Sequence, residues 1–175
     1  MKVVMLAQRV KLVNSLGEMA SNWFTMFVDL VKTVNNRRFT ASGVRHELTG
    51  STDATVATTI NVIAGNLGIV RLSLSFSCTN NANAKTAIIT LGSTVIQTLT
   101  IAPSTSSQSA QILIIGRGAS SQFTNAVSLS NCTGSGGIAT TEDISVNNTI
   151  TVSMQLGTIT DTIALESWAL EVEQS

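Results

Sequence analysis

"GIVRLSLSFSC", residues 68–78, decides the fold. Val70, Leu72, Leu74, Phe76 and Cys78 alternate with Arg71, Ser73, Ser75 and Ser77, so a strand here lays an apolar row on a core and a polar row against solvent. A helix would scatter both sets around its circumference. "NTITVSMQLG" (148–157) repeats the scheme, with Ile150, Val152, Met154 and Leu156 inward. "DTIALESWALEVE" (161–173) starts alike with Ile163 and Leu165, then changes phase to Trp168, Leu170 and Val172. A phase slip inside one strand predicts a β-bulge near Glu166 and Ser167.

Shorter runs at 54–63, 86–91, 94–101, 109–115 and 122–129 bring the total to about eight strands, separated by Gly, Asn and Ser clusters. That count fits a mainly β protein with an antiparallel, jelly-roll-like β-sandwich. "AGNLG" (64–68) and "TNNANAK" (79–85) read as tight turns. The long connections are "APSTSSQS" (102–109) and "SNCTGSGGIATTED" (130–143), and loops on a rigid sandwich are where binding usually resides. Ser104, Ser107, Asn131, Ser135, Glu142 and Asp143 are the residues expected to face outward there.

Ahead of the strands the period changes. Val3, Leu6, Val10, Val13, Gly17, Ala20, Phe24, Phe27, Val31 and Val34 follow alternating steps of three and four, the heptad rhythm of a coiled-coil-like α-helical stem. Val10, Phe24 and Val31 fall at a, and Val13, Phe27 and Val34 at d. β-Branched residues at both kinds of position favour three or more strands over two. Leu16, Trp23 and Leu30 widen the stripe at g. The same stripe would serve an amphipathic helix folded onto its own β domain, because periods of 3.5 and 3.6 hardly separate over so few turns. Gly17 weakens the segment by about 1 kcal/mol relative to alanine, so either the helices approach closely there or "NSLGE" (14–18) divides it in two. The division expected is residues 1–39 as a helical anchoring and oligomerisation segment and 40–175 as the β head. Val10, Val13, Phe24, Phe27, Val31 and Val34 are the expected oligomer contact.

At 175 residues, with 43% hydrophobic and 11% charged residues, the chain has enough apolar content for one folded head and one extension. Its net charge of zero is split. Residues 1–39 carry six cations against Glu18 and Asp29, a balance of +4, and the rest carries four cations against eight carboxylates, −4. Six cations spread along a helix make no dense phosphate-binding patch, so nucleic acid is not an expected partner. "VVMLA" is too short for a secretion signal, and no run approaches the length that spans a bilayer. Membrane insertion is therefore not expected, and Cys78 and Cys132 are read as reduced thiols of a chain made in the cytoplasm.

Chemistry is scarce. His46 is the only histidine and the two cysteines lie 54 positions apart, so zinc is not expected. Glu142 and Asp143 could contribute to a calcium loop but read as solvated surface. No "GxSxG" elbow selects a serine for His46, and neither "GRGAS" (116–120) nor "GNLG" (65–68) has phosphate-loop or dinucleotide spacing. Asp53, Asp161 or Glu166 could pair as glycosidase carboxylates, but nothing points to them. No cofactor, no catalytic residue and no metal is expected. Tyrosine is absent, which counts against a sugar-stacking face, though Thr, Ser and Asn can also hydrogen-bond sugars. Lys85 is the only lysine after residue 40, which fits a durable extracellular β surface.

A helix containing "LAQRVKLVNSLGEM" (6–19), a short joint and a Thr/Ser-rich β domain closing with "ITVSMQLGTITDTIALESWALEVEQS" (150–175) resemble the fibre, spike and head-decoration proteins of tailed bacteriophages. The resemblance covers the whole chain in architecture and carries over no functional residue. It implies a homotrimer in the virion, made in the host cytoplasm, docked on other virion proteins through its helix and holding a β head outward to a host-surface glycan or protein. The alternatives are a capsid decoration (cement) protein whose head clamps coat subunits and, from a different class, a small oligomeric lectin or polysaccharide-cleaving enzyme.

Overall fold

The computed structural model describes residues 24–31 and 36–174. Residues 24–31 form a helix, α1, with Phe24 70% and Phe27 46% exposed and Val31 partly covered. Eight helical residues make just over two turns, so an extended coiled-coil stem is not shown. Val10, Val13 and Val34 lie outside the described residues.

The head has twelve strands. The first sheet holds β1 (Arg37–Ser42), β2 (His46–Thr49), β4 (Ile69–Cys78), β7 (Ser107–Gly116), β8 (Gln122–Ser130), β10 (Ile138–Thr140) and β12 (Thr162–Glu173). Its order is β1-β12-β4-β7-β8-β10, with β2 also on β12. The second sheet holds β3 (Thr55–Val62), β5 (Lys85–Leu91), β6 (Thr94–Ile101), β9 (Cys132–Gly134) and β11 (Asn148–Leu156), in the order β3-β11-β5-β6-β9. Every pairing is antiparallel.

The alternation read from residues 68–78 is realised: Val70, Leu72, Leu74 and Phe76 are buried in β4 and meet Ile150, Val152, Met154 and Leu156 of β11 in one core. Each such side chain contributes about 1.5–3 kcal/mol on burial. The bulge in β12 is also present, since the register with β4 shifts between Leu165 and Ser167. It lets Leu165 and Leu170 both point inward although five positions separate them.

The eight expected strands all form, and four more were not foreseen. β9 and β10 lie within the connection read as a 130–143 loop, three residues each and joined through Gly136 and Gly137. Runs so short cannot display alternation. β1 opens with two arginines and carries the first sheet back to Arg37, ahead of the boundary drawn after residue 39. β1 and β2 read as one interrupted edge: Arg37–Ser42 pairs with the carboxyl half of β12 and His46–Thr49 with its amino half.

The strands of the second sheet contain one charged residue, Lys85, and it is buried. The first sheet carries its charges on the outside, where Arg37 and Arg71 stand 3.7–3.9 Å from Glu171 and Glu173.

Candidate functional site

Strand directions sort the connections to two ends of the sandwich. At one end, called proximal because β1 begins there, β1 enters beside the end of β12, and Gln174 donates its backbone N–H to the Asn36 carbonyl at 2.7 Å. The β3–β4, β5–β6, β7–β8 and β10–β11 connections share that end, and the β4–β5, β6–β7, β8–β9 and β11–β12 connections share the distal one. The expected outward residues therefore do not form one surface. Ser104, Ser107 and Asn131 gather at the distal end. Glu142 and Asp143 sit at the proximal end, and Ser135 lies between, beside β6.

The distal end is built on a buried ion pair. Alternation in "KTAIITL" puts Lys85 on the inner face with Ala87, Ile89 and Leu91, and its side chain is 2% exposed. Its Nζ lies 3.4 Å from Asp161 Oδ2 and donates to Asn81 Oδ1 at 2.6 Å and the Asn83 carbonyl at 3.1 Å. Asn81 closes the ring by donating Nδ2 to Asp161 Oδ1 at 2.8 Å. The Asn81 amide, with Asn83 and the Lys85 ammonium, holds the Asp161 carboxyl below its usual range against the opposing effect of burial. Around this ring the loops cross-link. Ser104, at φ 56°, donates its N–H to the Asn81 carbonyl, and Asn131, also at φ 56°, donates Nδ2 to the Ser107 carbonyl and accepts from Ala102. Cys78 and Cys132 are free thiols nearby, and burial pushes the Cys132 thiol up.

Ser135 is held by Gln97, a fully buried side chain whose Oε1 accepts both its N–H and its hydroxyl. With Thr124 Oγ1 within 3.2 Å of the Ile96 and Ile138 carbonyls, Gln97 pins the passage of β9 into β10 from one sheet to the other.

At the proximal end Glu142 clamps the β5–β6 turn. Its Oε1 accepts from Ser93 N at 2.9 Å, Ser93 Oγ at 2.8 Å and Thr94 Oγ1 at 3.0 Å, and Asn148 Nδ2 lies 3.5 Å from Oε2. The Ser93 hydroxyl, then its backbone N–H, Thr94 and Asn148 hold the Glu142 carboxyl below its ordinary range. Asp143 Oδ1 caps Ser145 N at 2.7 Å. Both acids are therefore hydrogen-bonded into the fold. Among the described residues no three His, Cys, Asp or Glu side chains stand together as a metal site. Beside this clamp, Thr94, Ser120, Ser121, Ala139, Thr140 and Thr141 line an open cleft of about 330 Å³.

The bulge residue Glu166 has internal partners too. It accepts from Ser77 Oγ and from Arg45 Nε at 3.0 Å, and Arg45 also pairs with Glu47. Ser77, then Arg45, lowers the Glu166 carboxyl, while Glu166 and Glu47 raise the Arg45 guanidinium. His46 lies in β2 opposite Leu165. No helix among the described residues is long and apolar enough to cross a membrane.

Lys85 and Gln97 were missed in the sequence, yet both signals were there: each is a polar residue on the apolar side of an alternating run, with Asn81 and Asn83 or Ser135 as partners.

No protein-family model matches the chain, and no curated protein matches it. Similar solved structures include phage and virus proteins. The CBM2 module of an evolved Dit from Lactobacillus casei BL23 phage J-1 shares 10% identity over 71% of this chain and 76% of its own, at a TM-score of 0.37. The infectious bursal disease virus Gt strain protein shares 9% identity over 80% of this chain and 34% of its own, at 0.41. Winged bean acidic lectin, solved with methyl-α-D-galactose, shares 10% identity over 78% of this chain and 98% of its own, at 0.36. Scores and identities of this size carry no functional argument.

Proposed function

We propose that this chain is a non-catalytic structural protein of a tailed-bacteriophage virion, a trimeric fibre or spike anchored by its N-terminal segment with the β head turned to the host surface. The observation that supports this most is the pairing of β1 with β12, which puts the start of the first head strand and the end of the last at the same end of the sandwich. The opposite end carries loops fixed by a buried ionic ring. A head tethered at one pole and stiffened at the other suits a projecting part. The heptad residues Val10, Val13, Phe24, Phe27, Val31 and Val34 form the trimer seam, and other virion proteins hold the stem. Of Asp53, Asp161 and Glu166, the carboxylates weighed for glycoside chemistry, Asp161 accepts from Asn81 and Glu166 from Arg45 within the fold, which supports a non-catalytic role.

Light scattering on the full-length chain and on one beginning at Asn36 tests the oligomer. The expected result is a trimer that becomes monomeric on truncation, and a full-length monomer would count against the reading. An antibody raised against the head is expected to label intact virions.

A further inference from the structure

We propose that the distal ring is a modification site, in which Lys85 Nζ attacks the side-chain carbonyl carbon of Asn81 and the two residues become joined by an isopeptide bond with release of ammonia. The proposal goes beyond the attachment reading and stands or falls without it.

The groups such a reaction needs are already in contact. The nucleophile, Lys85 Nζ, lies 2.6 Å from Asn81 Oδ1, against the carboxamide it would enter. The leaving nitrogen, Asn81 Nδ2, donates to Asp161 Oδ1 at 2.8 Å. Asp161 Oδ2 is buried and stands 3.4 Å from Nζ. One carboxylate therefore reaches both nitrogens that must exchange protons, one with each oxygen. A further donor completes the set: the Asn83 backbone N–H donates to Asn81 Oδ1 at 3.1 Å, where negative charge gathers when the carbonyl is attacked.

Surface lysines lack this setting. A protonated lysine is a poor nucleophile, and a base within reach activates it. Lys85 and Asp161 are each 2% exposed, so water is kept from competing for the carbonyl or the proton. Groups held together in the right geometry react as if at effective concentrations of about 10⁵ M and above, which lets an amide that is inert in solution react once in the life of a folded protein. Joining Lys85 to Asp161 instead would need an acid to expel water, and Asn81 and Asn83 are amides.

The steps balance without an oxidant or a second substrate. Asp161 Oδ2 takes a proton from the Lys85 ammonium and frees the nitrogen lone pair. That pair forms the Nζ–Cγ bond while the carbonyl electrons move to Oδ1, beside the Asn83 N–H. Asp161 passes its proton to Nδ2 and takes one from Nζ. The electrons return from Oδ1, the Cγ–Nδ2 bond breaks with its pair on nitrogen, and ammonia leaves. Nζ keeps one hydrogen as the new amide. Ammonia, a stronger base than the carboxylate, carries the last proton away as ammonium past the exposed residues 82–84. The bond spans only three intervening residues, so it adds little loop-closure entropy. What it adds is permanence, because the Asn81 turn, whose carbonyl accepts from Ser104 N–H, could no longer open locally.

The test is intact mass spectrometry of the full-length protein, kept folded for several days and then denatured. The expected mass is that of the sequence less one ammonia. A lysine-specific protease should cut the denatured chain after Lys32 and not after Lys85, and fragmentation should place the link between Asn81 and Lys85. Asp161→Asn and Asn81→Ala, each confirmed as folded by circular dichroism, should keep full mass and be cut after Lys85. Full mass in the folded wild type overturns the proposal and needs no variant to fold. Ammonia loss with Lys85 still cut would be an asparagine succinimide, and water loss with Lys85 joined to Asp161 would be a different bond; either overturns it. A link formed equally in Asp161→Asn would overturn the proton transfer on which the proposal stands.

Discussion

The two ends of the sandwich solve the same problem with opposite electrostatics. Each must tie a connection flanking β5 to a later connection, Asn81–Asn83 to Asp161 at the distal end and Gly92–Thr94 to Glu142 at the proximal end. The distal tie is an ion pair withdrawn from water, with Lys85 and Asp161 each 2% exposed. The proximal tie is a half-exposed carboxylate on neutral hydroxyls and one backbone N–H. A buried pair contributes little net stability while intact but penalises heavily the loss of one member, whereas an accessible carboxylate can exchange its partners for water. The distal end should therefore be brittle and the proximal end tolerant.

The largest effect is expected from breaking the distal ring. Lys85→Met preserves length and removes the charge, leaving the Asp161 carboxylate buried with only the neutral Asn81 and Asn83 amides to hold it. A loss of about 3–5 kcal/mol is expected by denaturant unfolding. Lys85→Met combined with Asp161→Leu should recover most of it, because two apolar groups no longer need each other. A double variant as unstable as the single one would show that the ring holds the loops through geometry and not through charge balance.

The sequence displayed the sandwich more fully than it displayed these ties. Alternation is a property of single strands, and β4, β11 and β12 each carry enough of it to fix which side faces the core, bulge included. Lys85 violated that pattern in full view, as the one lysine after residue 40 and in phase with Ala87, Ile89 and Leu91. Placing it at the end of the turn 79–85 hid that register, because β5 begins at Lys85 itself. Asp161, by contrast, lies 76 positions away in a turn, and nothing local announces the pairing. The candidate site residues show the same division. That Ser104 and Asn131 share an end while Glu142 lies at the other depends on sheet order, and sheet order is set by long-range pairing that no short window contains. β9 and β10 were hidden because three-residue strands flanked by glycine hold no period.

At the proximal end the next effect down comes from Gly92, which has φ 55°. An added Cβ would lie 2.2 Å from Glu142 Oε2, so Gly92→Ala combines an αL penalty of about 1 kcal/mol with displacement of the clamp. A loss of about 1–2 kcal/mol is expected, less than at Lys85, because the Glu142 carboxylate can swing towards water. Restored stability in Gly92→Ala with Glu142→Ala would assign the excess to that collision. Equal loss in both would assign it to backbone strain alone.

The smallest effect, and the one with a pH signature, belongs to Glu142→Gln. Glutamine retains an oxygen for Ser93 and Thr94 and forfeits the charge and the long contact from Asn148 Nδ2, so at neutral pH and moderate salt less than about 1 kcal/mol should be lost. The folded protein holds the Glu142 carboxyl below its unfolded value, led by the Ser93 hydroxyl. Its contribution is therefore complete above the ordinary glutamate range, near pH 4.3, and disappears as pH falls through the lower folded value. The gap in melting temperature between wild type and Glu142→Gln should be constant from about pH 5 to 7 and close below about pH 4. Because Asp161 is lowered as well, both proteins should still lose stability in acid, through the distal end. A gap that widened on acidification would mean that Glu142 binds its proton more readily folded than unfolded. The Ser93 and Thr94 contacts would then not favour its charged form, and the contrast between the two ends would fail at its weaker member.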